Sequence, residues 1–440
     1  MVESVAANLD FLGPVFFHGE VIQQDATEQI HRKLSHIIVS TDPPYYDNIG
    51  YAALSDYFYI WMRRAVGALY HELFSTVLTP KSNELIAEPA RHNSMKEASK
   101  FFEAGLFSFF DNVRKVTTLD YPLTVFYAFR QSEINTANEI YSTGWEVFLN
   151  GLIQADYQIT ATWPLRTEQS GGLRLVGRNA LASSIVVSAR PRNEEANITT
   201  RRDFLNILKR EFPPALRALK QGNIAPVDLA QASIGPGMAI FSRYDKILEA
   251  DGSAMSVRSA LALINQVLDE YLTEQEGEYD GDTRWALAWF EQQGFDEGPF
   301  GEAETLSKAK NTAVDALVKA GILVSKAGKV RLLRREELLD DWDPTKDKRL
   351  TVWEVTQQLI RVLVDKGSEE AAADLLKKVG GLGETGRDLA YRLYTICDRK
   401  KWAQEALAYN SLVVAWPELV KLAGRQRPGA QTQEELFDRG

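Results

Sequence analysis

The segment Asp42-Pro43-Pro44-Tyr45 is the part of this sequence best suited to chemistry, and it follows a short apolar run, His36 to Ser40. At average residue usage, such a four-residue match arises by chance on the order of once in several hundred chains of this length. The reaction it suits is methyl transfer to the exocyclic amine of adenine or cytosine. That amine is a poor nucleophile because its lone pair is delocalised into the ring, and its base is enclosed in the duplex.

Each residue of the segment meets one requirement of that reaction. The Asp42 carboxylate and the Pro43 carbonyl could accept both amino hydrogens and draw the lone pair towards a methyl donor. The prolines fix φ and stiffen the loop, and the Tyr45 ring offers a surface on which a flipped base could stack. We therefore predict Asp42, Pro43, Pro44 and Tyr45 as catalytic residues. The alternative is a proline-stiffened turn in which Asp42 is a cap and Tyr45 packs.

The residues that follow extend the match beyond four positions. Two stretches, Tyr46-Asp47-Asn48-Ile49-Gly50-Tyr51 and Leu54 to Arg64, resemble a family of large adenine-specific DNA methylases from bacteria and archaea with an N-terminal domain of unknown function. Further stretches resemble that family's C-terminal region, namely Gly235 to Met238, Arg284 to Phe290 and Leu389 to Tyr394. The resemblance therefore covers nearly the whole chain.

This resemblance implies a set of ligands and binding residues. The methyl donor would be S-adenosylmethionine and the acceptor double-stranded DNA, with some members of the family in restriction or phage-defence systems. Asp25 matches the position from which such enzymes contact the cofactor's adenine. Asp42 is the second residue predicted to bind the cofactor. Tyr46, Asn48 and Tyr51 are the predicted substrate-binding residues. For Asp25 the alternative is a helix cap for the residues from Thr27 onward.

The family's glycine-rich cofactor turn, of the Phe-x-Gly-x-Gly type, is missing from this sequence. Only 41 residues precede Asp42, and none of them forms the turn. No Asp-Pro-Phe with glycines follows either. We therefore expect a C-terminal fragment or subunit of a methyltransferase that needs a partner polypeptide to supply the cofactor-binding half.

Strands alternate with helices around the catalytic segment, which predicts an α/β fold with a mainly parallel, partial Rossmann-like methyltransferase sheet. The predicted strands are Glu20 to Gln23, His36 to Ser40, Tyr121 to Phe129, Gln158 to Trp163 and Ser184 to Ala189. The predicted helices between them are Leu54 to Leu69, Ser94 to Val116 and Glu139 to Ala155.

Beyond about Pro191 the pattern becomes mainly helical, with long helices over Thr199 to Gln221 and Val257 to Glu276 and a turn at Gly235-Pro236-Gly237 between them. Two helices followed by a hairpin over Gly321 to Leu332 suggest a winged helix. The predicted domains are 1–192, the catalytic half; 193–282, a helical region; 283–345, winged-helix-like; 346–423, helical; and 424–440, a flexible tail.

Composition limits the other possibilities. The chain has 45% hydrophobic and 25% charged residues, and its net charge of −10 disfavours DNA binding by general electrostatics. A single cysteine, Cys397, excludes an intrachain disulfide, and five scattered histidines make a metal site unexpected. No apolar run approaches the roughly 20 residues that span a bilayer, and the start lacks a signal sequence, so a cytoplasmic protein is expected.

Two weaker patterns remain. Gly381-Leu382-Gly383-Glu384-Thr385-Gly386 fits G-x-G-x-x-G, but a helix over Ala371 to Val379 precedes it where the dinucleotide fold needs a strand, so we predict a helix-helix linker. The basic residues of the expected wing could contact phosphates, although a charged hairpin surface is the stronger interpretation. They are Lys326, Lys329, Arg331, Arg334 and Arg335.

Two functions from different classes follow. The first is a site-specific DNA amino-methyltransferase, with adenine favoured over cytosine, that is inactive without its cofactor-binding half. The second is a catalytically inactive DNA-binding or assembly protein descended from such an enzyme, with contacts from Trp163-Pro164 and the winged segment. RNA modification is a third possibility because the amine chemistry is the same.

Overall fold

The computed structural model describes residues 24–30, 37–46, 50–118, 120–127, 143–166, 183–193 and 195–424. The protein is mixed α/β and mainly helical, with small sheets. It divides into two compact units, one formed by Met1–Ile38 and Tyr46–Thr118 and the other by Val39–Tyr45 and Leu119–Gly440. The predicted strand Glu20 to Gln23 and, apart from Gly424, the tail predicted at 424–440 lie outside the described residues. None of the described helices is both long and apolar enough to cross a lipid bilayer.

The described residues of the first unit contain three helices, α1 (Tyr51–Val66), α2 (Pro89–His92) and α3 (Met95–Val116). The Ser94 side chain caps α3 by accepting a hydrogen bond from the backbone amide of Glu97. Apolar residues at helical spacing bury one face of α3, namely Ala98, Phe102, Leu106, Phe110 and Val113. The two long helices confirm the predictions from periodicity.

The second unit begins with a four-stranded sheet made of β1 (Ser40–Thr41), β2 (Leu123–Tyr127), β3 (Tyr157–Arg166) and β4 (Ser183–Pro191). Its order is β1-β2-β4-β3. β1 pairs with β2 in parallel, whereas β4 is antiparallel to both β2 and β3. Three strands therefore run in one direction, but two of the three pairings are antiparallel. The prediction of a mainly parallel sheet is correct for strand direction and wrong for strand pairing.

β4 lies inside this sheet, and its residues from Ile185 to Ala189 are all buried. Burial on both faces explains why this strand is an almost continuous apolar run without alternation. Helix α4 (Thr143–Gln154) connects β2 to β3 and buries Phe148, Leu149 and Leu152.

Three further helices follow the sheet. They are α5 (Arg201–Gln221), α6 (Pro226–Phe241) and α7 (Val257–Glu274), and a parallel pair of short strands, β5 (Ile198–Thr200) and β6 (Lys246–Leu248), lies among them. The side chains of Thr200 and Ser256 cap α5 and α7.

The turn predicted at Gly235-Pro236-Gly237 is wrong, because α6 runs through these residues. A Cβ atom on Gly235 would overlap the Thr162 side chain of β3, and one on Gly237 would lie 2.6 Å from the Ile264 side chain of α7. The glycines allow α6 to approach its neighbours closely instead of ending the helix.

The chain then forms α8 (Gly281–Gln293), β7 (Gly298–Pro299), α9 (Phe300–Ala309), α10 (Val314–Lys319), β8 (Leu323–Lys326) and β9 (Lys329–Leu332). The three strands form an antiparallel sheet in the order β7-β9-β8. The turn between β8 and β9 places Ala327 and Gly328 at positive φ. The hairpin predicted over Gly321 to Leu332 is therefore confirmed.

Four helices complete the described chain, namely α11 (Val352–Ile360), α12 (Glu369–Val379), α13 (Gly381–Lys400) and α14 (Ala403–Gly424). They share one apolar core with α8, which includes Trp285, Trp353 and Tyr409. The linker predicted at Gly381 to Gly386 is wrong, since these residues form the first turns of α13. Cys397 is fully buried in this core, and burial raises the pKa of its thiol well above the usual value.

One carboxyl group in this core is in an unfavourable environment. Glu354 in α11 is buried, and its Oε2 atom has no hydrogen-bond partner. Burial, with a further contribution from the negative charge of Asp347, raises the pKa of Glu354 from 4.5 to about 8. The folded protein therefore holds a proton that the unfolded chain releases at neutral pH.

We expect Glu354→Gln to stabilise the protein by roughly 1–2 kcal/mol at pH 8 and by much less at pH 5. As pH rises from about 4.5 to 8, the unfolded carboxyl ionises while the folded one remains protonated, so wild-type stability falls over this window. Urea unfolding at both pH values measures the difference. The exposed Glu370→Gln, in α12, is the matched control and should leave the pH dependence unchanged. Parallel pH profiles for wild type and Glu354→Gln would contradict the prediction.

Candidate active site

Asp42 lies directly after β1, at the carboxyl end of that strand. Because β1 and β2 are parallel, the carboxyl end of β2 at Tyr127 lies at the same edge of the sheet. β3 also runs in this direction, so its last residues, Trp163 to Arg166, belong to that edge as well. In open α/β sheets, ligands bind outside the carboxyl ends of the strands. The segment Asp42 to Tyr45, predicted to be catalytic, is therefore at the edge of the sheet where a ligand is expected.

The Asp42 carboxylate faces solvent, whereas Pro43 is buried and Pro44 and Tyr45 are half-buried. The Tyr45 hydroxyl donates a hydrogen bond to Asp42 Oδ1 over 3.1 Å. An exposed carboxylate on a loop anchored by a buried proline can meet an external amine without any rearrangement of the core. The half-burial of Tyr45 also agrees with the alternative, a proline-stiffened turn in which Asp42 is a cap and Tyr45 packs.

The Tyr45 ring packs against an aromatic cluster. It meets Tyr127 edge to face, with the ring centroids 5.4 Å apart and an interplanar angle of 87°. Tyr127 in turn stacks on Phe148 at 4.4 Å and on Trp145 at 5.4 Å, both from α4. Such contacts fix the position of the Tyr45 ring beside Asp42. Sequence reasoning missed Tyr127, although an aromatic residue near the carboxyl end of the predicted strand Tyr121 to Phe129 was the available signal.

Asp25 belongs to the first unit, and its bonds are local. Its Oδ1 atom accepts hydrogen bonds from the backbone amide and the hydroxyl of Thr27, at 2.9 Å and 2.7 Å. The hydrogen bond from the Thr27 side chain is the largest cause that lowers the pKa of Asp25. This is an Asx turn and not the helix cap of the alternative, because the described residues 24–30 form a turn without a helix. Oδ2 has a long contact to Asn83 at 3.5 Å.

The predicted substrate-binding residues occupy different environments. Tyr46 is buried, meets Phe102 edge to face at 5.3 Å, and shares a short hydrogen bond with Ser99. These contacts give Tyr46 a packing role, so contact with a base would require the core of the first unit to open. Tyr51 is the first residue of α1, and half of its surface is exposed. Asn48 lies outside the described residues.

The carboxyl end of β3 presents an exposed aromatic residue. Trp163 is 53% exposed, Leu165 is also exposed, and Arg166 ends the strand. The exposed Trp163 ring at the carboxyl end of β3 is suited to nucleic-acid contact.

The basic residues of the β8-β9 hairpin are largely neutralised by acidic neighbours. Arg331 forms a two-pronged ion pair with Glu337, both contacts 2.6 Å long, and Lys329 pairs with Glu297 at 2.9 Å. Arg335 is partly buried and pairs with Glu405 in α14 at 2.7 Å. These pairs support the interpretation of the hairpin as a charged surface. The remaining two residues are Arg334, which lies over the Phe295 ring, and the exposed Lys326.

Comparisons with known proteins add one match. Residues 280–436 match a family described as "Domain of unknown function (DUF8807)". The matched segment starts at α8 and includes the β7-β9-β8 sheet and the four final helices. No curated protein and no solved structure matches the chain. In the part of the chain that the structure describes, no three His, Cys, Asp or Glu side chains come together as they would around a metal ion.

Proposed function

We propose that this chain is the catalytic half of an S-adenosylmethionine-dependent amino-methyltransferase that acts on DNA, with adenine favoured over cytosine. The observation that carries the proposal is the solvent-facing carboxylate of Asp42 at the carboxyl end of a strand, hydrogen-bonded to Tyr45. The proposal is supported by the match of Asp42-Pro43-Pro44-Tyr45 and its following residues to the methylase family.

The residues present suit the acceptor amine. Asp42 and the Pro43 carbonyl accept the two amino hydrogens, so the nitrogen lone pair leaves conjugation with the ring. The Tyr45 ring, positioned by Tyr127, stacks on the flipped base and holds its amine near Asp42. The amine would gain a bond to the methyl carbon as the carbon–sulfur bond of the donor breaks and the thioether leaves. The amine would then lose a proton, which Asp42 is placed to receive.

The residues present do not form a complete binding site for the cofactor, since this sequence contains no glycine-rich turn of the expected type before or after Asp42. S-adenosylmethionine supplies the methyl group when it is bound. We therefore infer that the cofactor-binding half is on a partner polypeptide, and that this chain alone transfers no methyl group.

The strand arrangement supports a Rossmann-like sheet as the scaffold of this half. β1, β2 and β3 run in the same direction, and the antiparallel β4 is inserted between β2 and β3. Doubly wound folds often include one antiparallel strand near the edge of an otherwise parallel sheet. The catalytic segment at β1 would then lie next to the strands that the partner contributes.

The direct experiment is reconstitution. We expect methyl transfer from radiolabelled S-adenosylmethionine to duplex DNA when this chain is mixed with the polypeptide encoded beside it that carries a strand, a glycine-rich turn and a helix. Each polypeptide alone should be inactive, and single-stranded DNA and RNA serve as alternative acceptors. Absence of transfer to all three acceptors, from a complex that has been shown to form, would contradict the proposal.

A second candidate function, an inactive DNA-binding or assembly protein, is favoured by one observation. Residues 281–332 form a helix, a short strand, two helices and a hairpin, with the three strands in one antiparallel sheet. This order of elements supports the proposal of a winged helix. Duplex binding by this chain that weakens with salt, without any methylation in the reconstituted mixture, would favour this function.

A further inference from the structure

Helix α1 presents its apolar face to solvent. Leu54, Tyr57, Phe58 and Trp61 follow the i, i+3, i+4, i+7 spacing of a single helical face, and each is at least 60% exposed. Helices of water-soluble proteins normally turn such a face towards a core. The same spacing is the pattern by which a helix inserts into an apolar groove of another polypeptide.

The opposite face of α1 is fixed to the first unit by buried and hydrogen-bonded residues. Tyr59 is buried, and its hydroxyl donates to the Thr76 carbonyl over 2.9 Å. Asp56 accepts from the backbone amide of Thr79 at 2.9 Å and pairs with Lys81 at 2.7 Å. Because these contacts hold the helix in its orientation, the outward position of the apolar face is a defined feature of this unit.

The exposed apolar area on α1 is large enough for a specific interface. Seven of its large apolar side chains are between 41% and 68% exposed: Tyr51, Leu54, Tyr57, Phe58, Ile60, Trp61 and Met62. A fully exposed large side chain has roughly 200 Å² of accessible surface, so the exposed fractions of these residues correspond to on the order of 800 Å² of exposed surface. A standard protein-protein interface buries about 800 Å² on each partner, whereas patches on monomers usually span roughly 300–600 Å².

The charges near this face indicate what kind of polypeptide covers it. Arg63 and Arg64 in the last turn of α1 are exposed, and the Arg64 guanidinium lies 6.0 Å from the Trp61 ring. The acidic residue of α1, Asp56, is already paired with Lys81. Self-association through this face would leave the arginines of both copies without acidic partners on α1. An apolar surface rimmed by Asp or Glu residues is complementary to it.

We propose that the exposed face of α1 is the docking site for the partner polypeptide that carries the cofactor-binding half, through an apolar groove or helix face with an acidic rim. This inference rests on the proposed function, because the partner is defined by the half that this chain lacks.

The test measures the dissociation constant between the purified full chain and the purified polypeptide that carries the glycine-rich turn, without cofactor or DNA. We expect Phe58→Glu to raise it at least about 100-fold, because a charge enters a desolvated interface. Arg64→Glu should raise it less and reduce its salt dependence. The matched control is Leu339→Glu, which changes an equally exposed apolar residue of the second unit and should alter the constant less than twofold.

Circular dichroism and melting temperature check that the variants fold, which is expected since Phe58 is exposed. Light scattering of the chain alone should give a monomer; a dimer that Phe58→Glu dissociates would assign the face to a second copy and overturn the proposal. Absence of binding by the wild-type chain, or equal binding by Phe58→Glu, would also overturn it.

The binding measurement separates this inference from the proposed function. If a complex forms through α1 but transfers no methyl group to any nucleic acid, the proposed function is contradicted and the docking site is supported. If Phe58→Glu does not change methyl transfer, the docking site is contradicted and the proposed function is supported.

Discussion

Replacing Asp42 by asparagine is expected to lower methyl transfer by the reconstituted complex roughly 1,000-fold. The carboxylate accepts an amino hydrogen of the base, whereas an asparagine side chain is neutral and can place its own NH2 group against that amine. Because Asp42 faces solvent and its hydrogen-bond partner is the Tyr45 hydroxyl, the substitution should leave the melting temperature nearly unchanged. Single-turnover transfer with saturating DNA and cofactor is the appropriate measurement.

The matched control for Asp42→Asn is Tyr45→Phe. It removes the hydroxyl that donates to Asp42 but keeps the ring that packs on Tyr127. We expect a loss of about 10-fold for this variant, since stacking is retained. If Asp42→Asn transferred methyl groups as fast as wild type, the proposed role of the catalytic segment would be wrong.

Gly235→Ala is expected to destabilise the protein by about 3 kcal/mol, although alanine is normally the better helix former. The added methyl group would overlap the Thr162 side chain, so α6 would have to move away from β3. The cost of this overlap exceeds the gain of about 1 kcal/mol from helix propensity. Urea unfolding monitored by circular dichroism measures the net change.

Gly301→Ala in α9 is the control, because nothing lies within 4 Å of a Cβ atom at that position. It should be neutral or slightly stabilising. The double variant Gly235→Ala with Thr162→Gly should recover part of the loss, because it removes the atoms that would overlap. Equal stability of Gly235→Ala and Gly301→Ala would show that α6 does not require the glycine.

The helices were predictable because their signals are local. The apolar periodicity of α3 and the Ser94 cap lie within one stretch of sequence, and the structure places the helix within one residue of the predicted range. Strand order is a different problem, because it depends on which strands meet after the chain has folded back. The sequence shows β4 as an apolar run, but nothing in that run states that it lies between β2 and β3.

The glycine-containing stretches were misinterpreted for a related reason. Glycine ends helices often enough that Gly235-Pro236-Gly237 predicts a turn, but the same residues also permit close packing between elements. Only the position of Thr162 on a distant strand distinguishes the two cases. The glycines at the start of α13 are similar, since Gly386 lies against Thr356 of α11.

The candidate site was predictable in its chemistry and only partly in its environment. The motif itself indicated Asp42 and Tyr45, and the structure brings them within hydrogen-bond distance. The support of Tyr45 by Tyr127 depends on a parallel pairing between segments about eighty residues apart, which spacing alone does not reveal. Tyr46 adjoins Tyr45 in sequence but is packed in the first unit, so adjacency to the motif did not predict exposure.

The buried Cys397 thiol has a practical use in these experiments. An alkylating reagent requires a thiolate and an open path, and in the folded core neither is available. Alkylation must therefore proceed through transient opening of the helical core, and its rate at saturating reagent reports how often that opening occurs. With a single sulfhydryl in the chain, the labelled fraction can be read by mass spectrometry without assigning sites.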